Sequence, residues 1–349
     1  MLEIKRLSSA YFALVMATGI VSIASHLSGF TVIAHALLYV NALQYPLLVV
    51  LYLVRLIKFR ADFIADFKNT ATNPGFLTFV AGTCVLANQY LILTGNFGLS
   101  TVLLIVGVVS WLFLIYTSFL IITIKQNKLP IEKAISGVWL LFVVSTQSVA
   151  ILIANLSDVM PIPQGVSLFV SLFFFLCGCM LYIIVITLIV HRLSFFNVEA
   201  EQFAPPYWIN MGAVAITTLA GATLILSSKE WIFIESILPF LKGFTLFFWA
   251  IGTWWIPLIV LLGVWRHLVR HLPFRYHPQY WGMVFPLGMY TACTFQLSKA
   301  LEIDFLKAIP SVFIYVALIT WGVVFTSMLF SIIKDLKIQH RSVNNFEKN

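Results

Sequence analysis

Charge is what this sequence has least of. Only 10% of its 349 residues are Asp, Glu, Lys or Arg, against about a quarter in an ordinary soluble domain. No such residue falls near the middle of a long apolar run. Proton relays, voltage sensors and ion-pair-gated carriers need ionisable groups at membrane depth, so a classical proton pump is not expected. Asp158, Glu199, Glu201, Glu230, Glu235, Glu302 and Asp304 lie instead in connections or at the ends of runs. Cysteine is scarce as well. Cys84, Cys177, Cys179 and Cys293 all sit inside apolar runs, which offers no disulfide framework. The one-residue spacing of Cys177 and Cys179 suits neither a zinc site nor a redox pair.

Catalytic constellations are equally thin. His267 and His271 are four residues apart, the spacing of one helix face, but the glutamate of a zinc-protease motif is missing. Headgroup contact is the expected role of that cluster, which includes Arg266, Arg270, Arg275 and His277. His26, His35 and His191 stand alone near run ends, and Glu199 with Glu201 has no ligand partner nearby. An intramembrane enzyme would therefore rest on His267 and His271 alone. No metal, cofactor or nucleic-acid partner is expected.

What is abundant is apolar surface. Hydrophobic residues make up 61% of the chain, with a mean hydropathy of +0.99. Runs long enough to cross a bilayer, about 20 residues each, are read at 7–29, 31–57, 74–94, 98–124, 131–155, 164–191, 206–227, 238–266, 279–299 and 307–333. The expectation is an all-α integral membrane protein, a single transmembrane domain over 1–349 with ten spanning helices. Lys5 and Arg6 before the first run, with Ser22, Ile23 and Ala24 inside it, allow a cleaved signal peptide. Removing it would orphan the second run, so the first is kept as a helix.

Lys and Arg divide unevenly between alternate connections. Seventeen fall on the side of the N-terminus (Lys5, Arg6), of Arg55, Lys58, Arg60 and Lys68, and of the C-terminus (Lys334, Lys337, Arg341, Lys348). Four, namely Lys229, Lys242, Lys299 and Lys307, fall on the other. The positive-inside rule turns that bias into an orientation with both termini cytoplasmic, in the plasma (inner) membrane. The net charge of +8 is then mostly a collar facing anionic headgroups. Basic residues at both mouths give a modest preference for anions.

The odd-numbered runs begin near 7, 74, 131, 206 and 279, a loose period of roughly 60 to 75 residues. Short connections join the members of each pair, so the units are helical hairpins. The members differ in kind. Odd runs carry small and polar residues, as in "ALVMATGIVSIAS", "VAGTCVLANQY" and "MGAVAITTLAGAT", whereas even runs are bulky, as in "WLFLIYTSFLIITI" and "FTLFFWAIGTWWIPLIVLLGVW". Small residues permit close helix approach and polar ones seek protein or water. The odd helices should form an inner ring and the even ones a lipid-facing outer ring. A dry bundle would use small residues in the same way. A wet axis is favoured by Gln89 with Asn88, Gln147 with Thr146 and Gln296 with Thr294, and by Gly or Pro in every odd run. The lining candidates are Thr18, Gly19, Gly82, Thr83, Gly137, Thr146, Gly212, Thr217 and Thr291, with Gln89, Gln147 and Gln296 in an outer vestibule.

The ninth run contains "WGMVFPLGMYTAC", with Phe285, Pro286 and Gly288 in close succession. Pro286 frees a carbonyl one turn earlier, near Gly282, which must be rescued by protein or water. At "YFALVMATGIVSIAS", "PPYWINMGAVAIT" and "HPQYWGMVFPLGMY" the chain resembles the tellurite-resistance and dicarboxylate transporter family, over essentially its whole length. That family includes bacterial tellurite-resistance proteins, fungal malate and sulfite transporters and plant guard-cell slow anion channels. The resemblance implies five hairpins in a pseudo-five-fold ring, a central pore lined by the odd helices, and a homotrimer with one pore per subunit. It implies that Phe285, four residues after Trp281, occludes the pore, with a kink at Pro286 and room for movement at Gly288. The function implied is an anion channel or facilitative anion transporter for chloride, nitrate, sulfite, tellurite or a dicarboxylate. A proton-coupled C4-dicarboxylate (malate) carrier is the rival.

Overall fold

Ten long helices dominate the computed structural model, which describes residues 2–203, 205–274 and 276–346, with side chains from 4 to 335 in those ranges. They are α1 Ala13–Leu27, α2 Thr31–Lys58, α3 Thr78–Thr94, α4 Phe97–Ile124, α5 Leu141–Asn155, α6 Gln164–Phe195, α7 Ile209–Leu226, α8 Leu238–Val264, α9 Trp281–Leu301 and α10 Ala308–Phe346. Among the described residues there is no strand. Eight of the ten are long and apolar enough to cross a membrane, α3, α5 and α7 together with the 3₁₀ turns that open them. The exceptions are α1, which is apolar but only 15 residues long, and α9. In α1 every residue from Ala13 to Ser25 is buried, and most of α9 is too, so both meet protein rather than lipid. The fold is that of an all-α integral membrane protein.

The odd helices close a ring: α1 packs on α3, α3 on α5, α5 on α7, α7 on α9, and α9 back on α1. Each even helix seats between its own hairpin partner and the next odd helix, with α10 bridging α9 and α1. Burial follows the same division. Of the apolar windows of α3, α5 and α7, 72 to 94% is buried, against 17 to 44% for the even helices. The exposed residues of the even helices are Leu, Val, Ile and Phe, such as Leu43, Phe113, Phe173 and Ile319, as a lipid-facing surface requires.

A repeated hydrogen bond ties the outer ring to the inner. Tyr45 of α2 meets Thr83 of α3 at 2.8 Å, and the Trp111 indole of α4 donates to Thr146 of α5 at 2.9 Å. Trp249 of α8 donates to Thr294 of α9 at 3.0 Å, and Trp321 of α10 donates to Thr18 of α1 at 3.1 Å. Each bond runs from an outer helix to the inner helix of the next hairpin. At the fifth junction Tyr182 of α6 accepts instead from Trp255 of α8, at 3.2 Å.

The starts of two inner helices differ from the sequence reading. The first was expected from residue 7, but α1 begins at Ala13. The Tyr52 hydroxyl of α2 donates to the Ser8 carbonyl and accepts from the Tyr11 amide at 3.2 Å, holding that segment in turns. The fifth was read as one helix over 131–155. It is a short helix Ile131–Ala134, an extended step at Ile135 and Ser136, a 3₁₀ turn Gly137–Leu140 and then α5. Arg192, buried at the end of α6, donates to the Ile135 carbonyl, to the Tyr207 hydroxyl and to Gln202 Oε1 at 3.0 Å. It staples the break to the start of α7. Similar 3₁₀ turns, Asn73–Leu77, Pro205–Trp208 and Pro278–Tyr280, open α3, α7 and α9. Two helices of the outer set also run long, α6 to Phe195 and α10 to Phe346. Of the basic residues counted above, Arg275 and Lys348 lie outside the described residues, as do the side chains of Lys337 and Arg341.

The indole bonds carry a signed prediction. Thr146→Val leaves the buried Trp111 N–H without an acceptor, at a cost of roughly 1–3 kcal/mol. Adding Trp111→Phe removes the orphaned donor, so the double variant should unfold in detergent at a higher temperature than Thr146→Val alone. Strict additivity of the two losses would show that the bond is not made.

Candidate functional site

Two cavities lie on the axis of the inner ring, one at each end. At the end where the inner helices begin, here the basic face, a cavity of about 90 Å³ is bordered by Ala13, Met16, Thr78, Leu141, Ile209, Gly282 and Phe285, with Ser8, Ser9, Thr72 and Gln279 at its rim. Towards the opposite face a cavity of about 360 Å³ is bordered by residues from the same five helices.

The lining positions repeat in register. On α1 they are Ala13, Met16, Ile20, Ile23 and Leu27, and on α9 Gly282, Phe285, Met289, Ala292 and Gln296. Both advance by three, four, three and four residues, the stripe that one helix face presents. The other inner helices supply the same stripe with one gap: Thr78, Val85, Asn88 and Ile92 on α3; Leu141, Ser148, Ile151 and Asn155 on α5; Ile209, Ile216, Leu219 and Thr223 on α7. The stripes stack into five layers of five residues. The positions missing from the second layer are Ala81, Val144 and Gly212.

That second layer is where the axis narrows. Only Met16 and Phe285 of it border a cavity, and each is 1% exposed. The septum between the cavities spans about 6 Å of helix rise from Phe285 to Met289 and about 10 Å from Leu141 to Ser148. α9 is continuous through Pro286. The carbonyl that Pro286 leaves without its helical donor belongs to Gly282, which borders the basic-face cavity, where water can reach it.

Glycines set this waist. A Cβ on Gly19 would come within 2.7 Å of Val85 on α3, and one on Gly212 within 2.7 Å of Pro286 on α9. A Cβ on Gly288 would meet Val21 and Ile20 of α1 at 3.0 and 3.1 Å, and one on Gly82 the Phe12 carbonyl at 3.3 Å. On Gly137 it would sit 2.1 Å from the Pro206 carbonyl oxygen.

The structure thus brings Phe285 and Gln296 to the cavities and places the other sequence candidates elsewhere. Gly19, Gly82, Gly137 and Gly212 sit at helix contacts and border neither cavity, and Pro286 and Gly288 pack on α7 and α1. Thr18, Thr83 and Thr146 turn outward to Trp321, Tyr45 and Trp111. Thr217 and Thr291 bond the carbonyls of Ala213 and Leu287 within their own helices and also border neither cavity. Gln89 accepts from Asn41 of α2 at 2.9 Å, and Gln147 donates to the Phe175 carbonyl of α6 at 3.0 Å. These corrections share one cause. A polar group in a membrane protein is satisfied as readily by a neighbouring helix as by a water-filled axis. The sequence reading missed Asn155 and Ser148, and it missed Met16 and Met289. The three-and-four stripe drawn outward from Phe285 would have found them.

Among the described residues no charged side chain borders either axial cavity. Asn155 donates to Asn88 Oδ1 at 2.7 Å, and Asn88 donates to the Cys84 carbonyl at 3.0 Å. Each amide nitrogen keeps a second proton, and Gln296, Ser148 and Thr223 complete a polar lining on four of the five helices. The α1 side, Ile20, Ile23 and Leu27, is wholly apolar. The histidine cluster assembles nothing comparable. His267 stacks on Phe274 at 3.7 Å and its Nδ1 lies 2.8 Å from the Leu272 carbonyl.

A closed ring of inner helices enclosing axial cavities is the architecture of a membrane transport protein. The chain belongs to the SLAC1 family, described as voltage-dependent anion channel, which matches residues 6–329. An uncharacterized membrane protein of Mycobacterium tuberculosis is 37% identical over 150 residues, 43% of this chain and 75% of the relative. Two uncharacterized transporters of Methanocaldococcus jannaschii are 25% identical over 306 residues (85% of this chain, 86% of the relative) and 24% over 330 (92% of each). The family agrees with the resemblance carried by the first, seventh and ninth runs, and the protein is a transporter or anion channel-type membrane protein.

Cysteine accessibility tests the register of the stripes. In a Cys177→Ser background, Gln296→Cys is expected to react with a charged, membrane-impermeant thiol reagent applied from the opposite face, while the fully buried Leu297→Cys stays unmodified. The native Cys84, Cys179 and Cys293 are buried and give a low background. Equal labelling of both variants would mean that this face of α9 does not line the axis.

Proposed function

We propose that the protein is an anion channel or facilitative anion transporter whose pathway follows the axis of the inner ring and is closed by Phe285. The observation that carries this is the second layer, where the one aromatic among Met16, Ala81, Val144, Gly212 and Phe285 separates two cavities lined by the same helices. An apolar constriction blocks ions by excluding their hydration water. The small neighbours Ala81 and Gly212 suit the insertion of one ring. The lining supports selection by the amide donors of Asn88, Asn155 and Gln296, with no fixed charge to trap the anion, so release is fast. Chloride, nitrate, sulfite, tellurite and dicarboxylates all fit this description.

A proton-coupled dicarboxylate carrier would need a titratable group on the pathway, and the residues that border the two cavities include none. That favours the uncoupled reading. The basic face is taken as cytoplasmic from the positive-inside bias, in the plasma membrane, and a homotrimer with one pathway per subunit is the proposed assembly.

Flux into liposomes tests the gate. Phe285→Ala is expected to raise chloride and nitrate flux roughly tenfold or more at equal reconstituted amount, equivalent to about 1.4 kcal/mol off the barrier. A folded Phe285→Ala protein with unchanged flux would remove Phe285 as the closure. Uptake of malate that required an imposed pH gradient would favour the coupled carrier.

A further inference from the structure

Beside the axial cavity on the basic face lies a second one of about 530 Å³, which shares Ser8, Ser9 and Thr72 with it. Its walls differ in kind. Lys5, Arg6 and Arg55 line it together with Asp62 and Asp66. Lys5 pairs with Asp62 at 3.6 Å and Arg55 with Asp66 at 2.5 Å. No carboxylate among the described residues lies within ion-pair distance of Arg6. Both carboxylates are engaged and one guanidinium is not, so the lining is net positive.

The donors are in excess as well. Arg55 is 2% exposed. Its Nε donates to the Lys5 carbonyl at 3.2 Å and its Nη2 to Asp66, while Nη1 is buried with no partner among the described residues. A buried guanidinium N–H without an acceptor has lost its hydration and gained nothing in return. The Ser8 hydroxyl accepts from the Ala10 amide at 3.3 Å, which leaves its own proton to donate. What would complete this site is an acceptor that carries negative charge.

We infer that the cavity is a binding site for a small oxyanion, held between Arg6, the Arg55 side chain and the Ser8 hydroxyl. The free guanidinium fork of Arg6 matches the flat or tetrahedral oxygen array of such an ion better than a spherical halide, and Arg55 adds its charge and one unpaired nitrogen. The inference rests on the reading of the axis as an anion pathway: Ser8, Ser9 and Thr72 border both cavities, so an ion held here sits beside the mouth of the axial one. The site raises the local concentration of anions at the mouth without placing a charge on the axis itself.

Nitrate is the probe. In a Phe285→Ala background reconstituted with known orientation, Arg6→Gln is expected to raise the half-saturating nitrate concentration for flux from the basic face roughly tenfold, the loss of one charge-assisted contact. The maximal rate and the half-saturation from the opposite face should not change. Arg55→Lys keeps the charge and the partner of Asp66 but loses the fork, and is expected to fall between the two. An unchanged half-saturation at the basic face in folded Arg6→Gln protein that still conducts would overturn the site and leave the pathway standing. If Phe285→Ala conducts nothing, titration calorimetry with nitrate on the detergent-solubilised protein decides. Heat present in the wild type and absent in Arg6→Gln supports the site, and equal heats overturn it.

Discussion

The closest approach of the inner helices at mid-height is the constraint on which the rest of the structure depends. Gly19 and Gly82 bring α1 and α3 together, Gly212 admits Pro286 between α7 and α9, and Gly288 lets α9 rest on Ile20 and Val21 of α1. Without hydrophobic attraction between helices in lipid, such contacts hold through van der Waals packing, which only small residues allow at this distance. They lie within one helical turn of the second layer, so the inner helices touch closely around Phe285. The two cavities lie on either side of that layer.

The outer ring solves a different problem. Its lipid face needs bulk and its inner face needs a reason to stay in register. The aromatic-to-hydroxyl bonds at four of the five junctions provide it, since an indole N–H left unpaired at membrane depth would be costly. Because each bond reaches the next hairpin rather than its own, it links the units into a ring, and the bond from Trp321 to Thr18 closes that ring between the last hairpin and the first. The hydroxyls of the inner helices are thus spent on cohesion more than on the axis.

Much of the architecture was legible in the sequence because its causes are local. Hydrophobic run length gave the helices, and the alternation of "VAGTCVLANQY" with "WLFLIYTSFLIITI" separated inner from outer. The role proposed for Phe285 rests on a resemblance and on its place beside the basic-face cavity. What was not legible is the direction in which each polar or small residue points. Thr83 and Asn88 lie five residues apart on one helix, yet the first meets Tyr45 and the second borders a cavity. Composition cannot separate them, because the helical phase is set by neighbours that are distant in sequence. The break before α5 was hidden for the same reason: it depends on Arg192 and on the carbonyl of Pro206, both more than fifty residues away.

The distribution of charge gives the design its logic. A fixed cation on the axis would bind an anion strongly in a low-dielectric site and slow its departure. Towards the opposite face the axis instead carries neutral amide donors, Asn88, Asn155 and Gln296, whose hydrogen bonds replace hydration at modest strength. On the basic face the cations Lys5, Arg6 and Arg55 stand off the axis, in the neighbouring cavity that shares Ser8, Ser9 and Thr72 with the axial one. In the proposed pathway, capture falls to residues beside the axis and passage to residues on it, and a waist closed by the Phe285 side chain would leave no charge on the axis to be neutralised when the ion is absent.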